Sequence, residues 1–263
     1  MSLLPNTSWA WGAQGHHITG RVAEAFLAPR TRIAIQDLLG GETLADASTW
    51  MDQEKRPLGP AKAQWHYSNQ AVCGAPAIRC PRGNCLTTRL PALIEEVGDA
   101  RLSQAQRAAA LRMVIHLMGD LHQPLHVANN EDRGGNDVTV IFAGARKALE
   151  RNLHEVWDVE LVKQELRGIS EEQYAEQLIV SAKTNLDAIR RGGLGEWSSH
   201  GYTLAREVAY ADLPGWQCSR TPPTVSTLDA RYLTTGRAVV RAQLRDAGVR
   251  LADVLNRALG HGA

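Results

Sequence analysis

The chain lacks a marked excess of either charge: 29 basic and 28 acidic residues leave a formal net charge of +1 over 263 residues. That excludes a broad basic footprint able to hold long duplex by phosphate contacts alone. It leaves room for an enzyme that grips one or two phosphates with metal. An apolar run long enough to span a bilayer is also missing. So are internal repeats, low-complexity segments and linkers, which points to a single mainly α domain rather than an array. Cysteine is scarce: the four are Cys73, Cys80, Cys85 and Cys218, with no Cys-x-x-Cys spacing. An even count without that spacing suggests two disulfides and an oxidising compartment. Cys80 with Cys85 would close a small local loop, and Cys73 with Cys218 would tie that region to the C-terminal half. Reduced cytosolic thiols are the alternative.

Residues 1–10 have neither a basic region nor a real apolar run, so they cannot be a whole signal peptide. Ser8 and Ala10 are small residues at the −3 and −1 positions of a signal-peptidase site before Trp11. The expectation is the tail of a signal peptide, or else a disordered leader, followed by one domain over 11–263.

What is present is helix. The pattern predicts helices over His16–Ala28, Arg30–Leu39, Leu44–Lys55, Thr87–Asp99, Lys147–Arg167 and Trp197–Ala211. Ser103-Gln-Ala-Gln106 and Ser170-Glu-Glu-Gln173 are capping boxes that open two more, the second running to Gly192-Gly193. Ser226–Arg245 and Val249–Leu259 close the chain. The alternating, β-branched Asp137–Phe142 is the one β element, a strand or hairpin arm. Residues 56–64 and about 70–86 are loops.

Chemistry concentrates in 111–126, Leu-Arg-Met-Val-Ile-His-Leu-Met-Gly-Asp-Leu-His-Gln-Pro-Leu-His. His116 and Asp120, four apart on a helix, share one face; Pro124 ends the helix and His126 follows on the turn. His154 and Asp158 repeat the spacing. Borderline imidazole and carboxylate ligands suit zinc. With His16, Asp52 and His66, the set of five His and three Asp could hold two or three divalent ions. Each pair alone reads equally as a salt bridge. His17, His122, His200 and His261 follow no such pattern and read as solvated, capping or supporting residues.

Six motifs in order decide between these readings: Trp11-Gly-Ala-Gln-Gly-His16, Trp50-Met-Asp52, Trp65-His66-Tyr67, His116-Leu-Met-Gly-Asp120-Leu-His-Gln-Pro-Leu-His126, Gly134-Gly135-Asn136 and Asn152-Leu-His154-Glu-Val-Trp-Asp158. Together they resemble the type I nuclease family, the trinuclear-zinc, single-strand-preferring nucleases and 3′-nucleotidases. The four cysteines match that family's two-disulfide pattern. The resemblance implies a phospholipase C/zinc-nuclease-like helical fold with one short β-hairpin, and three zinc ions. Trp11, through a terminal amine freed by cleavage before it, would join His16 and Asp120 on one ion. Asp52, His66, His116 and a shared Asp120 would hold the second. His126, His154 and Asp158 would hold the third.

It further implies water activated between close ions, attack on phosphorus, and release of 5′-phosphates. Asp52 would orient the water, and Lys55 (with Arg56 as its competitor) would counter phosphate charge. Tyr67 would stack on a base, with Asn69 and Asn136 near it. Asn69 stands where some fungal relatives carry an Asp that hydrogen-bonds the base. Substrates would be single-stranded nucleic acid and 3′-nucleotides; the enzyme would be a monomer, periplasmic or secreted, with no membrane contact. A zinc phospholipase C and a non-catalytic zinc-binding helical protein are the rival readings.

Overall fold

Local capping chemistry sets where several helices begin. In the computed structural model, which describes residues 11–54, 59–74, 77–143, 148–218 and 225–260, the central helix Gln104–Leu121 starts at the expected box. Ser103 Oγ accepts the Gln106 amide, and Ser103 N donates to Gln106 Oε1. From Ala110 onward every residue but Arg112 is buried, polar His116 and Asp120 included, so this stretch of the helix is the axis of the core. Around it pack Pro29–Leu39, two short helices (Leu44–Ala47 and Trp50–Gln53), Leu86–Gly98 and the C-terminal helix Ala230–Leu259. The first helix, Ala13–Ala25, lies against the C-terminal helix and Glu171–Lys183.

The structure corrects several boundaries. The Leu44–Lys55 helix is broken into Leu44–Ala47 and Trp50–Gln53. Ser48 Oγ donates back to Ala45 O, and the break frees the Ser48 carbonyl for use in the site. Residues 149–152 are strand, not helix. Leu149–Asn152 (β4) pairs antiparallel with Thr139–Phe142 (β3), Val140 opposite Arg151. Helix-forming Leu, Glu and Arg are overridden there by a partner strand. Helix resumes at Leu153, with Asn152 Oδ1 capping Glu155 N, and passes through a π-helical stretch, Val156–Glu160.

Ser226–Leu228 (β5) runs parallel to β3, giving the order β4-β3-β5. A second small sheet pairs Asn69–Gln70 (β1) with Ile78–Arg79 (β2). Among the described residues there are thus two small sheets where one hairpin was expected, on a mainly α fold. The helix opened by Ser170 splits after Lys183 and resumes over Leu186–Arg190.

The two closing helices are one. At Gly248 an added Cβ would stand 2.5 Å from Val22 Cβ. Glycine here is a contact point between the first and last helices, not a stop. Both disulfides are formed, Cys73–Cys218 across 145 residues and Cys80–Cys85 across 5. No described helix is long and apolar enough to cross a membrane. Residues 1–10 and Lys55, which carry the expected leader and phosphate-facing cation, lie outside the described residues.

Candidate metal centre

The first helix brings His16 to the central helix because Gly119 leaves space: an added Cβ there would meet His16 Nδ1 at 2.7 Å. Trp11 is fully buried beside it, its indole N–H donating to the Gly119 carbonyl at 2.8 Å. The His16 and His116 rings stack, centroids 4.0 Å apart. The short helix Trp50–Gln53 delivers Asp52, and the 3₁₀ turn Gln64–His66 delivers His66.

Asp120, wholly buried, lies at the junction. Its Oδ1 is 3.4 Å from His16 Nε2; its Oδ2 is 3.0 Å from His66 Nδ1 and 3.4 Å from His116 Nε2. Asp52 Oδ1 stands 3.9 Å from His116 Nε2. The second cluster is more local. The turn Pro124–His126 and the helix starting at Leu153 put His154 Nε2 3.2 Å from Asp158 Oδ2, and His126 Nε2 4.0 Å from Asp158 Oδ1. Among the described residues three groups of donor atoms result, each with all its members within 4.8 Å of one another: His16, Asp52 and His116; His66, His116 and Asp120; His126, His154 and Asp158.

The proton positions test whether these groups fit cations. His116 Nδ1 donates to Ser48 O at 2.7 Å, His126 Nδ1 to His66 O at 2.6 Å, and His154 Nδ1 to Gly134 O at 2.7 Å. With Nδ1 holding the proton, each Nε2 carries a lone pair. The His126 and His154 Nε2 atoms are nonetheless 3.1 Å apart. Two lone pairs at that distance repel unless a cation or a proton lies between them.

Burial, and then neighbouring His154, hold the His126 pKa well below its ordinary value; burial, followed by His116, does the same for His16. Burial pulls on His154 too, but the Asp158 carboxylate outweighs it and raises its pKa. His16 Nδ1 has no hydrogen-bond partner and is buried. Imidazole nitrogens facing one another around buried carboxylates suit divalent metal.

Tyr67 follows His66 and is 38% exposed, available to a flat ligand. Asn69 is on β1, opposite Arg79. Asn136 Nδ2 is engaged by its own turn, donating to Arg133 O at 2.9 Å. Several supporting groups were not assigned from sequence. Gln123 is buried beside Asp158; its amide N–H donates to Asp158 Oδ1 and its Oε1 accepts the Leu125 amide. Its place between two histidines of the longest motif was the available signal. Carbonyl acceptors such as those of Ser48, His66 and Gly134 leave no signal, since every residue has one. Of the remaining histidines, His122 is a fully buried helix cap whose Nδ1 donates to Met118 O while Nε2 accepts from Arg250.

A mainly helical protein with three His/Asp groups able to hold metal ions is the class this geometry defines. The S1/P1 nuclease family model matches residues 11–260. Similar proteins include nuclease S1 of Aspergillus oryzae, 28% identical, with 96% of this chain and 93% of that protein covered. Endonuclease 2 of Arabidopsis thaliana is also 28% identical, covering 95% and 91%; nuclease P1 of Penicillium citrinum is 27% identical, covering 95% and 98%. The chain belongs to the S1/P1 nuclease family, and its chemistry is hydrolytic cleavage of nucleic acid.

Proposed function

We propose that this chain is a zinc-dependent endonuclease that cuts RNA and single-stranded DNA to 5′-phosphate products and removes 3′-phosphates from nucleotides, with slower action on duplex. The observation that carries the reading is the pair of facing Nε2 atoms of His126 and His154, 3.1 Å apart with both Nδ1 protons committed to carbonyls. The ligand sets follow the family pattern: Trp11, His16 and Asp120; Asp52, His66, His116 and Asp120; His126, His154 and Asp158. Zinc bound there supplies an acidified water and positive charge opposite the phosphate.

The chain's own groups do the rest. Ser48, His66 and Gly134 carbonyls hold His116, His126 and His154 in one tautomer, lone pairs inward. Asp52, at the edge of its cluster, accepts a hydrogen bond from the attacking water and turns it toward phosphorus. Lys55 counters charge on the phosphate. Tyr67 offers a π-face to any base, so sequence preference is weak. Asn69 and the remaining amide oxygen of Asn136 contact the nucleotide.

A buried multi-ion cleft admits a splayed strand more readily than stacked duplex. Residues 1–10 are removed so that the Trp11 amine can donate; an amide nitrogen does not readily do so. The mature domain begins at Trp11 and works as a monomer outside the reducing cytosol, consistent with its two disulfides.

The test is elemental analysis of protein starting at Trp11, paired with digestion of RNA, denatured DNA and duplex DNA with and without chelator. About three zincs per chain and chelator-sensitive digestion, fastest on single strands, are expected. Turnover that survives complete metal removal, or faster cutting of duplex at low salt, overturns the reading.

A further inference from the structure

Cations near the proposed cleft fall into two sets. On β2, on the loop after His126 and on β4 they are matched by carboxylates: Arg79 meets Glu131, Arg133 forks onto Asp137, and Arg151 meets Glu155 and Glu160. On the Trp65 side they are not. Arg89 Cζ lies 4.3 Å and Lys62 Nζ 5.3 Å from the Trp65 ring centroid. Among the described residues neither has a carboxylate within ion-pair distance, and the buried Arg89 Nε donates to nothing.

The indole that both contact is fixed. Its N–H donates to Asn84 Oδ1 at 2.6 Å, and Asn84 sits in the loop closed by Cys80–Cys85. Trp65 immediately precedes His66 and Tyr67, and Leu86 N, one turn before Arg89, donates to Tyr67 O at 3.1 Å. Two cations without counter-charges are therefore held on an immobilised aromatic plate beside the cleft, in a chain whose net charge is only +1.

We infer that Lys62 and Arg89 form a subsite for a backbone phosphate flanking the scissile one, so that the enzyme binds polynucleotides better than minimal substrates. This rests on the nuclease reading above. Stacking on Trp65 leaves the guanidinium edge and the ammonium free to meet an anion, and it pre-orders two long side chains that would otherwise lose entropy on binding. The pair recognises charge, not base identity, which suits a sequence-tolerant enzyme.

The experiment compares wild type with the Lys62→Gln/Arg89→Gln double variant on two substrates: a dinucleoside monophosphate, which has only the scissile phosphate, and a single-stranded hexanucleotide. On the hexanucleotide, kcat/KM should fall about tenfold, through KM, and the dependence of log KM on log salt should flatten by about 0.7–1.4. The dinucleoside monophosphate should be cut as before. Equal losses on both substrates, or none on either, overturn the subsite.

Should the double variant fold poorly, Lys62→Gln alone reads the same split from a partly exposed position. Binding of a slowly hydrolysed phosphorothioate oligonucleotide at low salt tests the subsite apart from turnover. If wild type cuts neither substrate the nuclease reading fails, while tighter binding of that oligonucleotide by wild type than by the variant would still support the subsite, and equal binding would refute it.

Discussion

The two donor clusters are built differently. The group around Asp120 draws His16, Asp52, His66 and His116 from four elements, up to 104 positions apart as numbered, and one carboxylate touches three imidazoles. The group around Asp158 is made from one short turn and one helix, each pinned by its neighbours: His126 and His154 by carbonyls, Asp158 by Gln123. A shared ligand makes the first cluster stand or fall as a unit, whereas the second should be separable from it.

Asp120→Ala gives the sharpest test of that contrast. It should lower kcat/KM by on the order of 10³ or more and strip about two zincs per chain, leaving the His126/His154/Asp158 ion in place; loss of all three in elemental analysis would break the distinction. Gln123→Leu should act on the other side only. Titration with zinc should show affinity weakened roughly 10–100-fold at one site and unchanged at two, as expected when a group holding a ligand is removed.

Stability effects are smaller. The Cys73→Ser/Cys218→Ser variant opens a link spanning 145 residues and should cost about 2–5 kcal/mol in denaturant unfolding with metal stoichiometry unchanged. Gly119→Ala pushes a methyl onto His16 Nδ1, 2.7 Å away, and should cost about 1–3 kcal/mol; its metal loss should be confined to the Asp120 cluster.

Near neutral pH the mildest effect is pH-linked. Burial, and next the Arg250 charge, bring the His122 pKa down to about 3. An unfolded chain takes up that proton near pH 6.5, so stability should fall as pH drops from there toward 3, by about 1.4 kcal/mol per pH unit, and level off below. An NMR titration showing His122 protonating near 6 in the folded protein would contradict this.

The donor residues were legible because ligand chemistry leaves distinctive letters at distinctive spacings, and the fold gathers those letters into His/Asp groups. His116/Asp120 and His154/Asp158 could be read four apart, and Pro124 marked the turn that carries His126. The fold was less legible where neighbours overrule propensity. Residues 149–152 have a helical composition but lie in a sheet because β3 offers a partner edge. Gly248 has the composition of a break but sits inside a continuous helix because Val22 presses against it. The Ser48 carbonyl became visible only once the helix before Asp52 was seen to stop short.

Residue identity alone determined the chemistry available: imidazoles and carboxylates in ordered motifs, four cysteines able to close two links, and helices begun by their own caps. Tertiary structure decided which donors share an ion's volume, which ring nitrogen keeps its proton, and which cations are left without a counter-charge. Those outcomes depend on distances between segments far apart along the chain, and such distances are set by core packing rather than by any local run of residues.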